Sequence, residues 1–380
     1  MRPEAGKLTG VKRIIFPLVL IGVAVVPASA QIQLSLLANV GITMPGGIQP
    51  SAVAWDGTNA WVGAYNNSGA TANTFITPIT NVLTAPTQGA DFGIFSTANG
   101  RGLSSVSVNS SGTVLSSLDN GAASGSSIRA FSGSTGAALW DIGTSGPDAA
   151  KRGNGTAFDP GFNGTGSNAG GAAFLALGSG RRFVLDPITG AYINGTANGG
   201  NDAIINFSPT STTWRDMAFD PTTGDLYTRE TNRIGKATRT GNNAFSASTP
   251  LVTPVGNAGF DNQNIAFVNA ASTGNFLLVN DRASGASGQQ LGNIIKAFNP
   301  ISGAAMTLAF TGINPVTTTG VGAYDFSYNA ATNTLAVSDF SNKRLYVFSV
   351  ASSASAAPEP GTLALGTLGV VALLIRRRRG

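Results

Sequence analysis

Carboxylates are the side chains of this 380-residue chain best placed to do chemistry, because the sequence contains no His and no Cys. A Ser-His-Asp triad, a Cys-His pair and a zinc site built on His or Cys are therefore excluded. Acid-base work by Asp or Glu, helped by Tyr, Lys or Arg, is what remains. Asp216 and Asp325, with Arg215 and Arg101, stand at the start of short apolar runs. Two convergent carboxylates in such positions would suit glycoside chemistry. The plainer reading, and the preferred one, is a ring of solvated polar side chains around a channel.

Other candidates have plain readings too. The pairs Asp159-Pro160, Asp186-Pro187 and Asp220-Pro221 read as turn chemistry. Asp220 and Asp225 flank a turn, and Asp119-Asn120-Gly121 forms a second acidic loop. Both offer oxygen ligands without the spacing of a calcium loop. No cofactor is expected, and calcium alone stays open. Trp55, Trp61, Trp140 and Trp214, with Tyr65, could stack on sugar rings if exposed. Trp55 and Trp61 fall inside the strand pattern and read as core, which leaves Trp214 as the best exposed platform. Asn-x-Ser/Thr at Asn66, Asn109, Asn154, Asn163, Asn194 and Asn206 is expected by chance in so Asn-, Ser- and Thr-rich a chain.

The elements that must position these residues repeat along the chain. One unit recurs: an apolar strand ending near Asp or Asn, a turn, a second apolar strand, and often a third that ends in a Gly turn. Anchored on Trp55, Val108, Phe158, Phe219, Phe267 and Phe326, the copies step by 53, 50, 61, 48 and 59 residues. Second strands follow at Ala60–Gly63, Thr113–Ser116, Ala172–Ala176, Asp225–Thr228, Asn275–Val279 and Thr334–Ser338. Third strands are clearest at Ser127–Phe131, Arg182–Leu185, Ile294–Phe298 and Arg344–Phe348. Three of them lead into related turns, Ser132-Gly133-Ser134-Thr135-Gly136, Asp186-Pro187-Ile188-Thr189-Gly190 and Asn299-Pro300-Ile301-Ser302-Gly303. Pro or Ser opens such a turn and a positive-φ Gly closes it. Three or four strands per unit, repeated six times, predict an all-β chain folded as a β-propeller of about six blades, with seven the alternative count. A β-sandwich or stacked β-helix is the other fold with this strand density. Ile32–Leu37 alternates apolar and polar residues and can supply a strand that closes the ring on the last blade, which would remove exposed sheet edges.

Charge separates the ends of the chain from its middle. Positions 1–30 carry four Lys/Arg and positions 358–380 four Arg, so the segment between holds 15 basic and 16 acidic side chains. The middle is close to neutral, and a nucleic-acid partner has no electrostatic support. At the N-terminus, Lys7, Lys12 and Arg13 precede an apolar core from Ile14 to Val26 and the small-residue site Ala28-Ser29-Ala30. That order is a secretory signal peptide over residues 1–30, cut by signal peptidase after Ala30. At the C-terminus, Pro358-Glu359-Pro360 precedes an apolar run from Gly361 to Ile375 and then Arg376, Arg377, Arg378 and Arg379. The run predicts a single hydrophobic helix, and the arginines should stay cytoplasmic.

Residues 357–380 resemble the PEP-CTERM sorting signal of Gram-negative, exopolysaccharide-producing bacteria. The resemblance implies cutting near Pro358-Glu359-Pro360 by an exosortase-type enzyme, transient anchoring in the inner membrane and delivery to the surface, with exopolysaccharide as a partner. Leu335–Phe348, LAVSDFSNKRLYVF, resembles an NHL-type propeller repeat and supports the propeller. The expected layout is a signal peptide over 1–30, a propeller over 31–350, a linker over 351–357 and the sorting signal over 358–380. The expected role is a structural or polysaccharide-binding component of the cell surface or extracellular matrix, not an enzyme. An extracellular carbohydrate lyase or hydrolase with carboxylates at the channel mouth is the alternative.

Overall fold

The computed structural model describes residues 31–121, 127–142, 153–176, 182–193, 214–230, 233–253, 264–280, 295–313 and 324–353. Their regular structure is entirely β, in six successive antiparallel meanders. The first runs Ile48–Trp55, Ala60–Asn66, Ala72–Thr80 and Phe92–Thr97; the second runs Arg101–Val108, Thr113–Asp119, Ser127–Ser132 and Ala138–Ile142. The third runs Gly153–Phe158, Ala172–Ala176 and Arg182–Leu185; the fourth Trp214–Phe219, Leu226–Glu230, Ile234–Ala237 and Thr249–Val252. The fifth runs Ile265–Ala270, Gly274–Asn280, Ile295–Phe298 and Ala305–Met306; the sixth Tyr324–Asn329, Thr334–Asp339 and Arg344–Ser353. The first strand of each meander packs against the first strand of the next, and the sixth returns to the first. Among the described residues these six inner strands form a closed ring, and the meanders are labelled blades I to VI.

The chain ends lock the ring. The N-terminal strand Gln31–Gly41 lies antiparallel to Arg344–Ser353, in register from Gln31 opposite Ser353 to Gly41 opposite Arg344, with a bulge at Leu36/Ala38. The alternating segment Ile32–Leu37 is therefore the closing strand of blade VI, as its pattern predicts. Its partner continues to Ser353, so the strand reaches into the Ser/Ala stretch read as linker. Pairing with Gln31–Ser35 satisfies that backbone, and its composition gives no hint of this. Leu308–Thr311 then covers the outer edge of Gln31–Gly41 in parallel.

Each blade is buried on both faces, which is why its strands read as nearly continuous apolar runs rather than alternating ones. The core is accordingly divided into wedges between neighbouring blades. In blade VI, Leu335 and Val337 face blade V beside Phe276 and Leu278. Ala336 faces blade I beside Val53 and Trp55. Equivalent apolar wedges lie between I and II, II and III, III and IV, and IV and V. Two third strands escape the sequence pattern. Ala72–Thr80 contains Pro78, and Ile234–Ala237 contains Gly235. Both residues argue against a strand locally, yet a Cβ at Gly235 would collide with the side chains of Thr228, Glu230 and Ser248.

Candidate functional site

The inner strands enclose a cavity of about 220 Å³ on the ring axis. Asp216 of blade IV and Asp325 of blade VI both line it, and both are buried. Among the described residues that line this cavity none is a cation. Each carboxylate has a structural task. Asp216 Oδ2 accepts the backbone N–H of Ile265 at 2.9 Å, and Asp325 Oδ2 accepts that of Val53 at 2.6 Å. Each therefore holds the inner strand of the following blade. Other junctions use neutral groups in the same way. Ser51 Oγ donates to the Leu103 carbonyl at 2.7 Å, the Thr156 N–H donates to Ser105 Oγ at 3.1 Å, and Asn154 Nδ2 donates to the Trp214 carbonyl at 2.7 Å. Inner strands have no main-chain ladder between them around most of the ring, so these side chains stitch it.

Burial without a cation sets the electrostatics of the pair. Desolvation pushes the Asp325 carboxyl up to about 7. Desolvation, reinforced by the charge of Asp325, holds Asp216 well above the ordinary carboxylate range. Backbone N–H groups oppose both shifts without cancelling them. The sequence reading places Asp216 and Asp325 at the channel, and the fold does bring them into one cavity, but they are buried and bonded to neighbouring strands where that reading expects solvated side chains. Arg101 instead turns to Asp119 at 3.4 Å. Neither Arg101 nor Arg215 lines the cavity.

The acidic turns are matched by protein groups. Asp119 also accepts the Gly121 N–H at 2.8 Å. Asp220 Oδ1 caps its own turn through Thr222 N at 2.8 Å. Asp225 pairs with Lys236 Nζ at 3.0 Å and accepts the Arg239 N–H at 2.9 Å. Protein cations and N–H groups are thus partners of these turn carboxylates. Asp186 behaves as an Asp-Pro turn residue, accepting Ile188 N at 2.9 Å and Thr189 N at 2.7 Å, and these bonds hold its carboxyl below the usual range. Asp159 does more. It forms a fully buried, two-pronged ion pair with Arg239 of blade IV. The sequence reading misses Arg239 because its partner lies 80 positions away.

The aromatic candidates sort differently from expectation. Trp55 and Trp61 are core, as their strand positions imply. Trp214, expected to be an exposed platform, is only 6% exposed; it opens the inner strand of blade IV and packs in the wedge with Met217 and Phe219. Tyr65 is half-buried and donates to the Gly100 carbonyl at 2.5 Å. Trp140 is half-buried at the junction of blades II and III, where its Nε1 donates to the Pro187 carbonyl at 3.0 Å.

A larger cavity, about 660 Å³, opens at the junction of blades I and II. Trp61, Pro78 and Phe92 give it apolar surface; Asn59, Asp91 and Thr135 give it polar groups. The turn closing it is Ser132–Gly136, whose glycine sits at φ 71° against the Phe92 ring. The matching turn of blade III seats Gly190, φ 70°, against Trp140. The two turns differ where Ser132, Gly133 and Ser134 stand in place of Asp186, Pro187 and Ile188. That departure from the repeat is the signal by which the sequence could have pointed to the groove.

Ala28, Ala30, Pro358, Glu359, Pro360 and Arg376, Arg377, Arg378 and Arg379 lie outside the described residues. Among the described residues no helix is long and apolar enough to cross a membrane. Residues 356–379 match the family described as the PEP-CTERM protein-sorting motif. The chain therefore carries a PEP-CTERM signal, which marks an exported protein, anchored transiently in the membrane and processed by an exosortase-type enzyme. No curated protein matches the sequence. Among solved structures, the PQQ-bound aldose sugar dehydrogenase of Streptomyces coelicolor is similar at 13% identity and a TM-score of 0.53, over 85% of this chain and 99% of that one. That likeness shows the fold alone, a β-propeller. An auxiliary nutrient binding protein of Bacteroides thetaiotaomicron is similar at 12% identity and a TM-score of 0.49, over 85% of this chain and 77% of that one. A gluconolactonase of Xanthomonas campestris is similar at 12% identity and a TM-score of 0.46, over 86% and 99%. Neither likeness carries an argument about function.

Proposed function

We propose that this chain is a six-bladed propeller sent to the cell surface or extracellular matrix, where it serves as a structural or polysaccharide-binding component and not as an enzyme. The observation that carries the reading is the PEP-CTERM motif at residues 356–379 attached to a ring that its own N-terminal strand closes. On this reading signal peptidase cuts after Ala30, so the mature chain begins at the closing strand Gln31–Gly41. The exosortase-type cut near Pro358-Glu359-Pro360 falls just beyond Ser353, the last residue of the strand it pairs with. Both cuts spare the closure. A non-catalytic role is supported by the use of Asp216 and Asp325 as stitches between blades, since each spends an oxygen on a backbone N–H.

The second reading, a carbohydrate lyase or hydrolase, is favoured by one feature: two carboxyls with raised pKa share the axial cavity, the arrangement that can supply a general acid. Hydrolysis or cleavage of a polysaccharide by the purified protein, abolished by Asp325→Asn, would establish it. The first reading is tested by replacing Pro358, Glu359 and Pro360 with Ala. The variant should accumulate uncut in the membrane fraction, and normal release would overturn the sorting role.

A further inference from the structure

Among the described residues, the junction of blades I and II differs from that of blades II and III. At the junction of blades II and III, Trp140 fills the space under the Asp186–Gly190 turn, stacks edge-on against Phe174 with ring centres 5.9 Å apart, and bonds to the turn through its indole N–H. At the junction of blades I and II the corresponding ring is Phe92, which is smaller and has no N–H to reach the turn. It leans instead on Phe131, 5.4 Å between ring centres. Gly133 and Ser134 add little bulk above it. The result is a cavity of about 660 Å³, within the range of about 300–1,000 Å³ typical of ligand sites.

The lining defines what would fit. Its apolar parts are discrete surfaces, the Phe92 ring, the Pro78 ring and an edge of Trp61, not a continuous greasy wall. Trp61 is fixed in place, because its Nε1 donates to the Gly133 carbonyl at 3.2 Å. Between these surfaces stand hydroxyl, amide and carboxylate groups. Asp91 is exposed, with one carboxylate oxygen taken by Thr77 Oγ1 at 2.7 Å, which leaves the other to accept from a ligand hydroxyl. Among the described lining residues the only charged side chains are Asp56 and Asp91, both acidic. A ligand with carboxylate, sulfate or phosphate groups would be repelled, with no cation to compensate. A ring with C–H faces and hydroxyl edges matches both halves of the lining.

We propose that this groove binds a neutral glycan, with Phe92 under the sugar ring and Asp91 accepting its hydroxyls. The proposal rests on the reading that the protein binds polysaccharide, and names the site and the class. Its test uses the full chain against immobilised dextran, laminarin and mannan as neutral probes, and alginate and hyaluronan as acidic ones. The expected result is retention on at least one neutral probe, weakened at least tenfold by Asp91→Ala and by Phe92→Ala. Melting of each variant is compared with the parent, because Asp91→Ala also removes the acceptor of the buried Thr77 hydroxyl; Thr135→Trp, which fills the groove from its exposed rim, should abolish binding without that loss. Binding confined to the acidic probes, or to none, would overturn the neutral-glycan site. Neutral-glycan binding that all three variants leave intact would overturn the groove while leaving a polysaccharide-binding role in place.

Discussion

The junctions of blades I with II and of blades II with III carry related turns beside the same kind of outer strand, yet the first opens into a groove and the second seats a tryptophan under its turn. The difference lies in four positions: Phe92 against Trp140, Ser132 against Asp186, Gly133 against Pro187, and Ser134 against Ile188. Where the turn is stiff and the ring is large, the wedge is filled and its N–H is satisfied. Where the turn is small and polar, a groove remains. A repeat fold can thus make a surface site by relaxing one copy, without any added element. The junction of blades III and IV shows a third solution, with a small apolar wedge backed by the buried Asp159–Arg239 pair.

The ion-paired junction should be the easiest to break. Asp159→Ala leaves Arg239 buried without its carboxylate, and should cost about 3–5 kcal/mol, read as a shift of the urea midpoint. A loss under about 1 kcal/mol would mean that the pair is solvated. On the channel side, the stitches between IV and V and between VI and I are carboxylates with raised pKa. The stability they contribute is complete below their unfolded value, near pH 4, and is lost as pH rises through about 7. The folded protein should therefore weaken as pH rises from about 4 through about 7, by on the order of 4 kcal/mol from Asp325 alone. Asp325→Asn should flatten that profile in thermal melts, whereas the Ser51, Ser105 and Thr156 stitches of junctions I–II and II–III carry no charge and should not contribute to it.

The glycines give the finest test of the comparison. Gly303, Gly190 and Gly136 all have positive φ, but an added Cβ meets different obstacles: the Leu251 carbonyl, the Trp140 ring and the Phe92 ring. Gly303→Ala and Gly190→Ala should cost about 2–3 kcal/mol, since neither a backbone carbonyl nor a hydrogen-bonded indole can move aside. Gly136→Ala should cost a comparable amount, because the added Cβ would also meet the Cβ of Phe92, which cannot swing aside with the ring. A loss under about 1 kcal/mol at Gly136 would mean that the strand carrying Phe92 shifts to admit the methyl.

Much of the architecture is readable in the sequence because each strand is buried on both faces and so announces itself as an apolar run. The six anchors from Trp55 to Phe326 all fall in inner strands. Strands interrupted by Pro78 and Gly235 are invisible by the same rule, since local propensity there is overridden by packing. Asp216 and Asp325 are legible as channel residues, but their bonds to Ile265 and Val53 are not, because contacts between blades join positions 49 and 272 apart. The misreading of Trp214 has a similar cause: its place at a strand end suggests exposure, while the wedge between blades III and IV buries it. The groove depends on what is absent from one turn, and only aligning the three turns reveals it.

The central claim is that the two ends of the chain are addresses and the ring between them is the delivered protein. Intact mass of the protein recovered from culture medium and envelope tests it most directly. A mass corresponding to Gln31 through a cut near Pro358 is the predicted result. A mass that retains Arg376–Arg379 in all fractions would contradict it, and would make the propeller a permanently membrane-tethered domain.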